Sequence, residues 1–154
     1  MNIFDKIVIS KPQKWLVEAA SSIGLDYSGL SHEVTTNFME HVIKKHNQGN
    51  LAITRNDFKT IPGIVKAPDM AIIGATRGKR VFNAYAKRIE EKTYLYFDEV
   101  MDSNRNKALR SSTFYKIKKQ LDIDGFIRIV TMNGKSDVST AKKIAAGGHP
   151  GGEA

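Results

Sequence analysis

The spacing of apolar residues changes once along this chain, close to residue 70. Before that point they recur every three to four positions; after it they alternate. Ile7-Val8-Ile9 is a short apolar run that reads as a strand or an extended lead-in. Ser10 then offers an N-cap, Pro12 sits early in a helix, and Trp15, Leu16, Ala19 and Ile23 carry its apolar side as far as Gly24. A second helix is predicted from Ser31, with Val34, Phe38, Val42 and Ile43 on one side and Asn47-Gln48-Gly49-Asn50 as its stop. Thr54, with Asp57 three residues on, opens a short helix through Phe58 and Ile61. Pro62-Gly63 is expected to break or kink it, and Ala67-Pro68-Asp69 closes the region.

From Met70 the period is two. It predicts strands from Met70 to Thr76, Val81 to Ile89, Thr93 to Met101 and Lys107 to Ile117. The turns between them are Arg77-Gly78-Lys79-Arg80, Glu90-Glu91-Lys92 and Asp102 to Asn106. A fifth strand is expected from Phe126 to Met132, after an Asp124-Gly125 turn. Val138 to Ala146 reads as a short amphipathic helix or as irregular chain. Helices first and an antiparallel meander second make an α+β layout. A single domain over 1–146 is expected, followed by a flexible Gly-rich tail over 147–154.

Composition narrows the chemistry. A chain of 154 residues suffices for one well-cored domain. Without cysteine it has no disulfide, no thiolate nucleophile and no cysteine zinc site. A formal net charge of +8 favours an anionic partner: nucleic acid first, then an acidic protein or an anionic membrane. Met1 to Ser10 places Asp5 and Lys6 before a very short apolar run, so neither a secretory leader nor a membrane span is expected. The lack of cysteine fits the cytosol as the expected site of action.

Two segments carry candidate chemistry. In His41-Val42-Ile43-Lys44-Lys45-His46 the histidines are five residues apart, about 140° around a helix. A zinc pair on one helix wants a spacing of four, so no metal site is expected. His46 falls within the apolar arc and in the last turn. Burial there favours the neutral ring and the exposed carbonyls favour the protonated one, opposed effects that suit a general acid or base; a core histidine with one hydrogen bond is the equal alternative. His32, at the predicted helix start, and His149, in the tail, read as surface residues.

The second segment runs from Arg110 to Lys116. Strict alternation puts Arg110, Ser112, Phe114 and Lys116 on one face and Ser111, Thr113 and Tyr115 on the other. Its cations and hydroxyls, with no acid among them, suit a phosphodiester and the charge that develops on it. Arg77, Lys79 and Arg80 in the hairpin turn, with Lys87 beyond, are candidates for holding a nucleic-acid backbone. Solvated lysines on a sheet edge are the plain alternative for each of them.

These residues resemble a family, the phage-associated barnase–EndoU–colicin–RelE-like nuclease domains. His41 to His46 is similar to their helical His-Ile-x-x-x-His signature, and Asp57 to Val65 with Pro68-Asp69 to the segment that follows it. Ser112-Thr113-Phe114-Tyr115-Lys116 resembles their last strand with its Thr-x-Tyr-Lys ending. The likeness runs from about Leu30 to Lys116 and implies helices packed on a curved antiparallel sheet that holds the active cleft. It also implies metal-independent endoribonuclease action without a cofactor, by a toxin or phage-encoded effector. RNA is the expected partner, transfer RNA among the candidates, with a cognate immunity or antitoxin protein as a second. By position His41, His46, Thr113, Tyr115 and Lys116 match the family motifs, and Arg110 enters on its chemistry alone.

The expected reaction is transesterification. His46 or His41 takes the proton of a ribose 2′-hydroxyl, which attacks phosphorus. Arg110 and Lys116 balance charge, and Thr113 or Ser112 donates hydrogen bonds. The other histidine or Tyr115 protonates the leaving 5′-oxygen. Their angular separation favours one catalytic and one structural histidine, unless the helix ends between them. A non-catalytic nucleic-acid-binding or virion-associated module is the alternative from another class.

Overall fold

The computed structural model describes residues 6–46 and 49–145. The expected Gly-rich tail with His149, and Asn47-Gln48 of the predicted stop, lie outside the described residues. The chain runs through β1 (Lys6–Ser10), α1 (Lys14–Ser21), β2 (His32–Thr35), α2 (Thr36–Lys45), two 3-10 segments (Gly49–Leu51 and Arg55–Thr60) and α3 (Ile61–Lys66). It continues through β3 (Met70–Arg77), β4 (Arg80–Ile89), β5 (Lys92–Asp102), β6 (Lys107–Ile117), α4 (Ile123–Arg128), a π-helical turn (Ile129–Asn133) and β7 (Lys142–Ile144). The strands form one sheet in the order β1-β2-β6-β5-β4-β3-β7. β2 and β6 pair in parallel through Leu109 and Arg110; the other neighbours are antiparallel. The fold is α+β, with the β3–β6 meander where the alternation places it. Among the described residues no helix is long and apolar enough to cross a membrane.

Five elements depart from the sequence reading. The predicted helix from Ser31 begins instead with a strand, because His32, Glu33 and Val34 are all buried between β1 and β6. A strand covered on both faces shows no alternation to read. α2 starts only at Thr36, where the Thr35 hydroxyl accepts the Phe38 N–H at 3.1 Å. Pro62 does not break a helix but sits in the first turn of α3, where its missing N–H is not needed.

The predicted strand from Phe126 to Met132 is α4 and its π turn. Asp122 caps that helix by accepting the Gly125 N–H at 2.7 Å, and Phe126 and Val130, four residues apart, bury against the sheet. The predicted helix or irregular stretch from Val138 contains β7, which adds to the outer side of β3. At the N-terminal end Gln13 rather than Ser10 occupies the cap of α1.

The sheet has two covered faces. Leu16, Val42, Ile61, Ile64, Tyr85, Tyr96 and Phe114 pack with α1–α3 on one. Ile72, Leu95, Phe97, Phe126 and Val130 pack with α4 on the other. Two bulges decide which side chains reach that second face. On β3, Ile73 pairs with Asn83 and Ala75 with Phe82, so Gly74 is the extra residue. On β6, Thr113 pairs with Phe97 and Ser111 with Asp98, so Ser112 is extra. Each extra residue reverses the alternation beyond it. The strict alternation expected for β6 therefore fails: Arg110, Thr113 and Tyr115 share one face, and Ser111, Phe114 and Lys116 share the other.

Gly74 has φ +86°, and a Cβ there would stand 2.5 Å from Ile23 Cδ1. Gly74→Ala is expected to destabilise by about 1–3 kcal/mol, combining left-handed strain with displacement of Ile23. Urea unfolding measures it; an unchanged midpoint would show the bulge to be indifferent to its residue.

Candidate active site

Among the described residues β2 pairs with β6 only at Leu109 and Arg110, and none of their strands lies on that side of β6 from Ser111 onward. The end of α2 runs along it. His46 follows the last residue of α2, with its N–H on the Val42 carbonyl (2.9 Å) and its carbonyl accepting the Ile53 N–H (2.7 Å). That anchoring lays its imidazole on the Tyr115 ring, with centroids 5.7 Å apart and planes 20° from parallel.

The stacked pair borders a cleft of about 260 Å³. Phe82, Phe97, Ser112, Thr113 and Tyr115 supply the strands' part of its lining, Lys45, His46 and Arg77 the basic groups, and Asn133, Gly134 and Ser136 the remaining wall. Arg77 is fixed by a 2.8 Å hydrogen bond from Nη2 to the Gly134 carbonyl and lies 4.8 Å over the Phe82 ring. Its other N–H groups leave donors for a bound anion.

Electrostatics assigns different protonation states to the stacked rings. Burial, then the nearby Lys45 and His41, hold the His46 pKa below its ordinary value. The balance expected from sequence, with helix carbonyls opposing burial, therefore tips one way: near neutral pH this imidazole is an unprotonated acceptor. Tyr115 is pushed up by burial, with Asn133 beside it acting the opposite way, so its phenol keeps its proton.

The cleft thus brings together His46, Ser112, Thr113, Tyr115 and Arg77 from the sequence-derived candidates. The others lie elsewhere. His41 is exposed on α2 and acts on the cleft only through its field at His46. Arg110 is on the cleft's face of the sheet, but its Nε and Nη2 hold Glu33 at 2.9 Å and its Nη2 also reaches Asn106 at 3.2 Å. Arg80 makes two 2.8 Å hydrogen bonds to Glu99. Lys79 is exposed at the hairpin tip. Lys87 is on the opposite face, where its Nζ donates to the Ala67 carbonyl at 2.7 Å. His32, expected at the surface, is fully buried in β2 with Nδ1 3.4 Å from Asp98 Oδ2.

Lys116 also faces away from the cleft. The bulge turns it toward the helical layer, where it pairs with Asp57 at 3.1 Å over the Tyr94 ring. Asp57 also accepts the Tyr94 hydroxyl (2.7 Å) and closes the capping box with the Thr54 N–H (2.8 Å). Burial raises the Asp57 pKa most, but Tyr94, Thr54 and Lys116 together outweigh it and leave the pKa lowered. A lowered carboxyl pKa stabilises the fold above the unfolded value near 3.9, and that stabilisation is lost as pH falls through the folded value. Lys116→Met is therefore expected to cost about 1–3 kcal/mol at pH 7 and progressively less below about pH 4. Urea melts across that range test it; a difference that does not change with pH would break the link to Asp57.

Lys45, Phe82, Phe97, Asn133, Gly134 and Ser136 were not legible as lining residues. Lys45 had the signal of adjacency to His46. The last three follow directly on Phe126 to Met132, the stretch where a strand was expected. A family model described as phage-Barnase-EndoU-ColicinE5/D-RelE like nuclease3 matches residues 10–123. No curated protein and no solved structure matches the chain. The matched span takes in most of the chain and with it the stacked His46–Tyr115 pair, Arg77 and the hydroxyls of β6. The chain accordingly belongs to the phage-Barnase-EndoU-ColicinE5/D-RelE like nuclease3 family.

Proposed function

We propose that the protein is an endoribonuclease that cleaves RNA by metal-independent transesterification in the cleft of β3–β6. The observation that carries this is the stacking of His46 on Tyr115 beside Arg77 and the Thr113 hydroxyl, with the His46 pKa held down and the Tyr115 pKa held up by burial. A base and an acid already in opposite protonation states are what proton transfer at two oxygens requires.

His46 takes the proton of the ribose 2′-hydroxyl as its oxygen attacks phosphorus. The bond to the 5′-oxygen breaks, and Tyr115 gives that oxygen its proton. The products are a 2′,3′-cyclic phosphate and a free 5′-hydroxyl. Thr113 and Ser112 donate to the phosphoryl oxygens, and Arg77 with Lys45 balances the charge that builds on them. Arg77 takes the place first given to Arg110, because Arg110 is held by Glu33. The nucleophile belongs to the substrate, so DNA is not cut. A toxin or phage-encoded effector of this kind would need a cognate inhibitor in the cell that makes it.

Incubation with total RNA in chelator is expected to yield fragments ending in 2′,3′-cyclic phosphate. RNA that stays intact, or cleavage that disappears with chelator, would reject the reaction and leave a binding module.

A further inference from the structure

The wall that closes the cleft comes from beyond the family match, which ends at residue 123. It is built into the sheet rather than laid on it. Asp137 exchanges both backbone hydrogen bonds with Thr76 (3.0 and 2.7 Å), and β7 pairs with β3. Gly134 has no room for a side chain, since a Cβ would stand 2.7 Å from the Val130 carbonyl oxygen and 3.5 Å from the Phe97 ring. Only glycine lets its carbonyl reach Arg77 at 2.8 Å.

The two sides of the cleft differ in chemistry. Lys45, His46, Arg77 and the β6 hydroxyls suit a phosphate. Asn133, Gly134 and Ser136 carry no charge. Asn133 is exposed at the end of the π turn and close enough to the Tyr115 hydroxyl to lower its pKa. A carboxamide offers a donor beside an acceptor, the pattern found on the edge of an unpaired nucleobase and not on a phosphate. The volume of about 260 Å³ lies just below the usual range of ligand pockets and suits a group no larger than about one nucleotide, not a duplex.

We propose that Asn133 reads the edge of the nucleobase next to the scissile phosphate and sets the base preference of the cleft. This rests on the ribonuclease reading. The segment that gives this chain its wall then also gives it its specificity.

Two measurements test it together: binding of the four nucleoside 3′-monophosphates by titration, and cleavage of a randomised RNA pool with fragment ends sequenced. The wild type is expected to favour one base by roughly tenfold or more, and Asn133→Ala to bind all four within about twofold. Asn133→Asp, an acceptor only, is expected to shift preference toward guanine, which presents paired N–H donors. Unchanged circular dichroism and Tm establish that these exposed variants are folded. Equal binding of all four nucleotides by the wild type, binding of none, or a preference that survives Asn133→Ala overturns the inference. Cleavage with unaltered base preference rejects it while the ribonuclease reading stands. Base-selective binding lost in Asn133→Ala, with RNA left uncut, does the reverse.

Discussion

His46→Ala is expected to lower RNA cleavage by about 10²–10⁴-fold, the range for loss of a general base, while leaving the protein folded. The backbone around His46 explains the second half. Its N–H and carbonyl are tied to Val42 and Ile53 whatever the side chain is, and the imidazole itself is only half-buried. His41→Ala is expected to change the rate by no more than a few-fold, because that ring is exposed outside the cleft. Comparable losses in the two variants would contradict the assignment.

The pH profile provides a sharper version of the same prediction. The base form of His46 exists above its pKa, which burial, Lys45 and His41 hold below the ordinary value of about 6.5. Cleavage should therefore rise with pH through a midpoint below about 6.5. The acid form of Tyr115 exists below its pKa, which burial holds above about 10. The falling limb should accordingly lie on the far alkaline side, with a plateau across neutrality. Lys45→Ala removes a cation that disfavours the imidazolium, so it should move the rising limb to higher pH. A limb that moves to lower pH, or not at all, would separate His46 from the proton transfer.

How far the chain could be read depended on what each segment faces. Strands β3–β6 were legible because alternation survives where a strand is bounded by tight turns. Their bulges were not, and these are what place Arg77, Thr113 and Tyr115 on one face. A period-two reading of β6 set Arg110 and Tyr115 on opposite sides, since nothing in Arg-Ser-Ser-Thr marks Ser112 as the extra residue. Lys116 was lost to the site by the same single-residue shift. β2 was unreadable because it is buried on both faces. The helix end at His46 was legible in outline, and it resolves the 140° difficulty: His46 is no longer on the helix that carries His41. The Asn133–Ser136 wall was invisible, because the short apolar run from Phe126 fits a strand as well as a buried helix until Asp122 is recognised as its cap.

Asp98→Ala is expected to have the largest effect on stability, about 3–5 kcal/mol, combining unpaired buried donors with a cavity. Asp98 is fully buried and accepts from Asn83 Nδ2 at 2.8 Å and the Tyr85 hydroxyl at 2.9 Å. That first bond turns the Asn83 carbonyl oxygen the other way, to accept the Tyr27 hydroxyl (2.8 Å) and the Gly74 N–H (3.0 Å). On its other side Asp98 is paired with Ser111, the residue before the second bulge. Gly74, Asn83, Asp98 and Ser111 thus form a line across β3, β4, β5 and β6 that joins the two irregularities on which the cleft depends. Alanine leaves two buried donors without partners and frees Asn83 to rotate away from Gly74. Tm is expected to fall by roughly 10 °C or more. RNA cleavage should fall further than the folded fraction does, because Arg77 and Thr113 take their facing from those bulges. Asp98→Asn keeps one acceptor but presents an NH2 to the second donor, so it should be intermediate in both respects. A Tm unchanged in Asp98→Ala would mean that the bulges hold without the network. A Tm loss with cleavage per folded molecule intact would confine Asp98 to the core and uncouple it from the cleft.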